Sequence, residues 1–221
     1  MSQTILVTGA NRGIGLELCR QLVSRGDRVI AACRNTSNDL QGIDVRVEEG
    51  VDVTSTDSVS QLVRRLEGQT IDMLINNAGI LTRETLEQMD LEAVRWQFEV
   101  NALGPLRVSH ALLPQMGPGA KIGIVTSRMG SLSDNTSGSR YGYRMSKAAV
   151  NMAGVSLAHD LRDRGIAVAL LHPGYVRTDM TGGNGNLEAS EAAAGLLARL
   201  NELNLSSTGT FWHSNGEVLP W

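Results

Sequence analysis

The chain has 221 residues, of which 42% are hydrophobic and only 4% aromatic, and its formal net charge is −3. That length suits a single α/β domain spanning residues 1–221 with a core of small aliphatic side chains, and the lack of a basic surplus argues against nucleic acid as a partner. No apolar run approaches the roughly 18 residues of a membrane span, and the opening MSQTILVTGA turns polar too soon for a secretory signal, so a cytoplasmic protein without membrane attachment is expected.

Strand-like and helix-like segments alternate from end to end. Residues 4–8 read as a buried strand, and 13–24 as a helix with apolar positions at Ile14, Leu18 and Leu22. Residues 28–33 form a second strand, 45–47 a weaker third, 57–66 a helix and 71–75 a fourth strand. A long helical stretch over 90–116, bent near Gly104-Pro105, leads to a fifth strand at 121–126. A helix over 141–163 precedes the sixth strand at 166–171; 187–203 is helical and 208–213 a last short strand. The glycine-rich stretch 181–186 between them reads as a mobile loop. Buried strands alternating with crossover helices predict a doubly wound, Rossmann-type parallel sheet of seven strands, ordered 3-2-1-4-5-6-7, with helices on both faces. Cys19 and Cys33 have neither metal-type nor redox-type spacing and read as structural thiols, and the histidines and acids form no metal constellation.

The first strand ends in Thr8-Gly9-Ala10-Asn11-Arg12-Gly13-Ile14-Gly15, a G-x-x-x-G-x-G turn. A strand that turns sharply into a helix here aims the helix's first amides and its dipole at an anion, and glycine permits both the positive φ and the close approach of a pyrophosphate. A tight strand–helix turn with no ligand is the plainer alternative.

Tyr143-Arg144-Met145-Ser146-Lys147 opens the helix over 141–163. Residues four apart share a helix face, so Tyr143 and Lys147 point the same way. At an effective dielectric of 20, an ammonium 4–5 Å from the phenol would favour the phenolate by about 3–4 kcal/mol, towards general-acid strength. A chance Tyr/Lys pair on an amphipathic helix is the competing reading. Tyr141 is a rival phenol, but two helical positions turn it about 200° away from Tyr143. Ser127 follows the fifth strand at the edge where open α/β sheets bind ligands, with Ser131 and Ser133 as competitors for the same role. Asn76-Asn77-Ala78-Gly79 follows the fourth strand at that edge. Asn101 falls inside a predicted helix, where asparagine is unfavourable unless a bound water or a helix irregularity holds it.

In this order and spacing, the glycine turn, Asp52, Asn76-Asn-Ala-Gly79, Asn101, Ser127, Tyr143-x-x-x-Lys147, Pro173-Gly174 and Thr178 resemble the short-chain dehydrogenase/reductase family over nearly the whole chain. Ser127-Arg-Met-Gly-Ser131, Tyr141-Gly-Tyr-Arg-Met-Ser-Lys147 and the ending Leu219-Pro220-Trp221 are similar to its C-factor and sniffer-type carbonyl reductase subgroup. The resemblance implies an oxidoreductase that moves a hydride between a nicotinamide cofactor and a carbonyl or alcohol. Tyr143 would be the general acid and base, Lys147 the ribose ligand that lowers the tyrosine pKa, Ser127 the holder of the substrate oxygen, and Asn101 the anchor of a proton-relaying water. It places Gly9, Asn11, Arg12, Gly13, Ile14 and Gly15 at the pyrophosphate, and Asp52 and Val53 near the adenine. Asn77, Ala78 and Gly79 would lie along the cofactor, Thr178 near the carboxamide, and Pro173, Gly174 and Val176 would also bind the cofactor. It also implies a homodimer through the helices over 90–116 and 141–163. The stretch between Thr178 and Leu187 is short for a family substrate lid, which leaves the substrate less defined than the chemistry. A nucleotide-binding, C-factor-like signalling protein with little turnover is the alternative function. The second strand ends Ala31-Ala32-Cys33-Arg34-Asn35 with no acid to bind ribose hydroxyls, and Arg34 and Arg12 can meet a 2′-phosphate, so NADP(H) is expected over NAD(H).

Overall fold

The computed structural model describes residues 2–221. Seven strands form one sheet in the order β3-β2-β1-β4-β5-β6-β7, all pairs parallel, as the alternation of elements predicted. The strands are β1 Thr4–Thr8, β2 Arg28–Ala32, β3 Arg46–Glu48, β4 Met73–Asn76, β5 Lys121–Val125, β6 Ala167–His172 and β7 Phe211–His213. The helices are α1 Gly13–Ser24, α2 Asn38–Gln41, α3 Thr56–Arg65, α4 Leu91–Phe98, α5 Gly104–Leu112, α6 Tyr141–Asp160 and α7 Ala189–Glu202.

The strands read as continuous apolar runs because both faces of the sheet are covered. Their alternate side chains divide between two cores. Leu6, Ile30, Leu74, Ile122 and Val168 pack with Leu62 of α3, Val108 and Leu112 of α5, and Val150 and Leu157 of α6. Ile5, Val7, Val29, Ile75 and Leu171 pack with Leu18 and Leu22 of α1 and Leu196 and Leu200 of α7. Each fully buried leucine contributes about 1.5–3 kcal/mol of transfer free energy. Small residues set the spacing: a Cβ on Gly154 of α6 would lie 2.8 Å from a Leu170 methyl, and one on Gly123 of β5 equally close to Leu200.

Two elements differ from the sequence reading. The single helical stretch over 90–116 is α4, a π-helical segment Glu99–Leu103, and α5, ending in a 3-10 turn at Leu113–Gln115. The short α2 was not anticipated; Ser37 caps it by accepting from the Leu40 amide at 3.2 Å. Stretch 181–186, expected to be mobile, is fastened to its surroundings. The Asn186 amide donates to the Tyr175 carbonyl (2.7 Å), Asn184 Nδ2 donates to that of Thr181 (3.1 Å), and Val176 bridges Leu187. No helix among the described residues is long and apolar enough to cross a membrane.

Candidate active site

The sheet's winding reverses between β1 and β4, which are neighbours while their connections leave in opposite directions. Crevices form at the carboxyl ends of strands at such a point, and here one of about 560 Å³ opens above β1, β2 and β4. The glycine turn forms its floor. Gly9 has φ +66°, and a Cβ there would lie 2.8 Å from the Ala78 Cα, so the turn is pressed against the segment after β4. Thr8 and Asn77 lock the two together. Thr8 Oγ1 accepts from the amides of Asn77 and Ala78, both at 3.1 Å, and Asn77 Nδ2 donates to the carbonyls of Thr8 and Gly9, also at 3.1 Å.

Helix α1 starts without a side-chain cap and with no acid in its first turn, and Gly13 and Ile14 line the crevice. Its first amides and positive dipole end are therefore open to an anion, and these residues fit a dinucleotide pyrophosphate. Asn11, Arg12, Arg34, Asp52, Val53, Asn77, Ala78, Gly79 and Thr178 also line the crevice, as does Gly9. Gly15, Tyr143, Lys147, Pro173, Gly174 and Val176 do not. Gly15 sits behind the turn, where a Cβ would meet the Gly9 carbonyl at 2.2 Å, so it serves helix–strand packing. Pro173, Gly174 and Val176 lie beyond, and Gly174 packs on Leu187 and His213. Asp52 uses its carboxylate locally, accepting from the amide (2.9 Å) and hydroxyl (2.8 Å) of Thr54. Arg12 is committed to an exposed ion pair with Asp179 at 3.0 Å, whereas Arg34 is exposed and makes no ion pair among the described residues. Cys33, Val51, Ile80, Trp96, Val100 and Arg177 also form the walls, with Asn35, Asp179 and Met180, and were not anticipated as site residues. Ile80 could have been read from its place after Gly79, but nothing local marks Trp96 or Val100, which tertiary packing brings over from the helical stretch.

At the inner end of the crevice, a Cβ on Gly79 would lie 3.8 Å from Lys147 Nζ. Lys147 and Tyr143 are both buried on one face of α6, with the ammonium 5.7 Å from the phenol ring centroid and donating to the Val125 carbonyl at 2.9 Å. Tyr141 is half-buried outside this pair. Burial pushes the Lys147 pKa down to about 8. Burial also raises the Tyr143 pKa, opposed by its hydrogen bond with Ser127 and by the Arg140 charge. The net direction is upward, where pairing with Lys147 alone would point downward. Desolvation of the phenolate is the larger effect, and the same burial weakens the lysine as a cation. Of the three serines, Ser127 is the one whose hydroxyl acts on the phenol's proton, while its Oγ accepts from the Met129 amide at 3.1 Å. Ser131 Oγ accepts from the Asp134 amide at 3.2 Å, and Ser133 Oγ donates to the Trp221 carbonyl at 2.9 Å.

Asn101 is fully buried in the π-helical segment, the irregularity its helical placement suggested. Its Oδ1 accepts from the Ile80 amide at 2.9 Å, and its Nδ2 donates to the Ile80 carbonyl at 2.9 Å and to Ser146 Oγ at 3.1 Å. The side chain thus clamps the segment after Gly79 to α6. Glu84, also missed from sequence, is buried beside it. Its carboxylate accepts from Gln97 Nε2 at 3.0 Å, from the Thr82 hydroxyl and, at 3.4 Å, from the Gly142 amide at the start of α6.

Comparison with known proteins places this geometry. The family model described as short chain dehydrogenase matches residues 3–188. The chain belongs to the short-chain dehydrogenase family. It is an oxidoreductase of that family on a Rossmann-like sheet. It is 46% identical over 224 residues to 1-hydroxy-2-glutathionyl-2-methyl-3-butene dehydrogenase of Rhodococcus sp. (strain AD45), covering 99% of each chain. It is 46% identical over 154 residues to the C-signal protein of Myxococcus xanthus, covering 68% of this chain and 93% of that one. The solved structure of NADPH-bound carbonyl reductase from chicken fatty liver superposes with a TM-score of 0.91 at 30% identity, over 100% of this chain and 99% of that one.

Proposed function

We propose that this oxidoreductase interconverts a carbonyl and an alcohol with NADP(H), using Tyr143 as general acid and base. The observation that carries this is the buried Tyr143–Lys147 pair, with Ser127 acting on the phenol, set behind Gly79 of a glycine-floored crevice. The bound nicotinamide supplies the hydride in reduction and accepts it in oxidation. Gly9, Gly13 and Ile14 would hold the pyrophosphate at the α1 amides, with Asn77 fixing the turn and Gly79 leaving room beside Lys147. Ser127 donates to the substrate oxygen, Tyr143 gives or takes its proton, and Lys147 holds the ribose. Asn101 keeps Ile80 and α6 in register beneath them.

The NADP(H) preference rests on Arg34, which is exposed at the crevice and free of ion pairs among the described residues, and on the lack of an acid after β2. Arg12 can join it by leaving Asp179, because an exposed ion pair is worth only about 0–1 kcal/mol. The chicken carbonyl reductase, described with NADPH bound, supports the same choice. The Rhodococcus relative is named for a thioether-bearing alcohol, which makes a glutathione thioether alcohol a candidate substrate here. We place the protein as one domain over residues 1–221 in the cytoplasm and as a homodimer. For the homodimer, exposed Leu91, Trp96, Leu103, Leu106, Met145 and Met152 on α4–α6 supply an apolar surface.

The test is NADPH oxidation across aldehydes and ketones by the wild type and by Tyr143→Phe. The variant loses only a hydroxyl, so its turnover should fall about 10²–10⁴-fold while its cofactor affinity and fold are kept. Wild-type turnover by the variant on every accepted substrate would remove Tyr143 from the mechanism.

A further inference from the structure

Helix α6 carries the Tyr143–Lys147 pair, yet nothing local caps its start. Arg140, at the cap position, makes no side-chain cap bond, and the first turn contains no acid. The first amides of a helix have no partner within it, and a capping side chain ordinarily supplies one. Here the partner comes from Glu84, 58 positions before Gly142. Its carbonyl accepts from the Arg140 amide at 2.8 Å, and its carboxylate accepts from the Gly142 amide at 3.4 Å.

A buried carboxylate is costly unless it is hydrogen-bonded, and Glu84 is only 3% exposed. Its partners are neutral: the Gly142 amide, the Thr82 hydroxyl and, at 3.0 Å, Gln97 Nε2. The positive end of the α6 dipole adds to them. Gln97, fully buried in α4, is fixed in turn, because its Oε1 accepts from the Thr82 amide at 3.1 Å. With that oxygen engaged, Gln97 presents a donor to position 84, which therefore has to be an acceptor. Gly142 leaves room for this arrangement; a Cβ there would collide with Gln97 Nε2 and lie 2.9 Å from the Val94 Cα. Tyr143 is thus held from both sides. Gly142 before it is tied to Glu84, and its own carbonyl accepts from Ser146 Oγ at 2.9 Å, the hydroxyl that Asn101 holds.

We infer that Glu84 is a positioning residue, which with Gln97 caps α6 from outside the helix and fixes the Tyr143 hydroxyl for proton transfer. The inference rests on the carbonyl–alcohol reading above and extends it to the support of the phenol. Glu84 does not line the crevice and moves no proton itself. Its leverage is geometric, since a reacting group displaced by about 1 Å can lose on the order of a hundredfold in rate.

The test uses Glu84→Gln, which keeps the side chain's shape but turns one oxygen into a donor. Whichever way the carboxamide is turned, a donor then faces either Gln97 Nε2 or the Gly142 amide. Turnover with NADPH should fall about tenfold in kcat, with the NADPH Kd within about twofold of wild type. The exchanged pair Glu84→Gln with Gln97→Glu removes the conflict and should restore most of the rate. Gly142→Ala, which pushes Gln97 off Glu84 from the other side, should repeat the loss. In a Tyr143→Phe background, Glu84→Gln should change the residual rate by less than about twofold, because the group it places is gone. Amide hydrogen exchange in Glu84→Gln should quicken about tenfold at residues 141–147 and stay unchanged in α1 and α7. Wild-type kcat in Glu84→Gln, equal losses with and without the Tyr143 hydroxyl, or an exchanged pair no faster than Glu84→Gln would each overturn the inference. A wild type that turns over no carbonyl or alcohol would defeat the reading above; hydrogen exchange at 141–147 would then alone uphold or overturn the clamp.

Discussion

At Lys147, burial and charge compete directly. The unfolded chain keeps this proton up to about pH 10.5, while the folded chain releases it near 8. Between those values the unfolded state binds more protons, so this group's contribution to stability rises with pH across that window, by on the order of 3 kcal/mol at full swing. Denaturant melts at pH 7.5 and 10 should therefore show a smaller gain with pH for Lys147→Met than for the wild type; the buried thiols and Tyr143 titrate in both and cancel in the difference. Identical pH dependence in the two proteins would contradict a buried cationic lysine. In the proposed reading, Arg34 would set the cofactor preference at the same scale. A partly exposed ion pair of roughly 2 kcal/mol with a 2′-phosphate gives about a thirtyfold preference for NADPH. Arg34→Asp should narrow or reverse it in Kd measurements at low salt, and equal wild-type affinity for NADPH and NADH would sink the assignment. Lys147 and Arg34 were both legible in the sequence, one from its four-residue spacing to Tyr143 and the other from its place after β2. The direction of the Tyr143 pKa was not, since burial depends on what packs around the helix.

At the element scale, α6 presents the Tyr143–Lys147 pair because it lies unusually close to the sheet. Gly154 allows that approach, with Leu170 and Ile124 within 2.8–3.3 Å of where a Cβ would stand. Gly154→Val should lift the helix or force neighbouring rotamers, costing about 1–3 kcal/mol by thermal or chemical denaturation. Turnover should fall as well, since Lys147 would leave the Val125 carbonyl. Full stability and activity in this variant would show that the contact can relax without consequence. The strands and helices were readable because apolar runs and helical spacing are local signals, and boundaries shifted by no more than three residues. The π-helical segment 99–103 was foreshadowed by the misfit of Asn101 and the bend expected near Gly104-Pro105, but the partner of Asn101, the Ile80 backbone, lies 21 residues away in sequence and gave no local signal. Helix α2 is one turn long and gives too few positions for any periodicity to show.

At the scale of the whole molecule, the exposed apolar residues of α4–α6 are the feature a monomer in water explains least well. An isologous pairing would bury them against their own copies. Light scattering at micromolar concentration should give the mass of two chains, and Leu106→Glu should shift it towards one. A wild-type mass of a single chain would count against the pairing.

The sequence by itself determined the sheet order and the residue types of the site, because alternating apolar runs, a glycine turn and a Tyr-x-x-x-Lys spacing are properties of short stretches of chain; the reaction class came from the resemblance of the whole set of motifs to a known family. Tertiary structure alone decided which serine meets Tyr143, that Asn101 clamps Ile80, and that Glu84 supports the turn holding Arg140. It also decided that Arg12 faces Asp179 while Arg34 is left without a partner. These are contacts between residues tens of positions apart, and the burial and charge balance that set their chemistry exist only once the elements have packed.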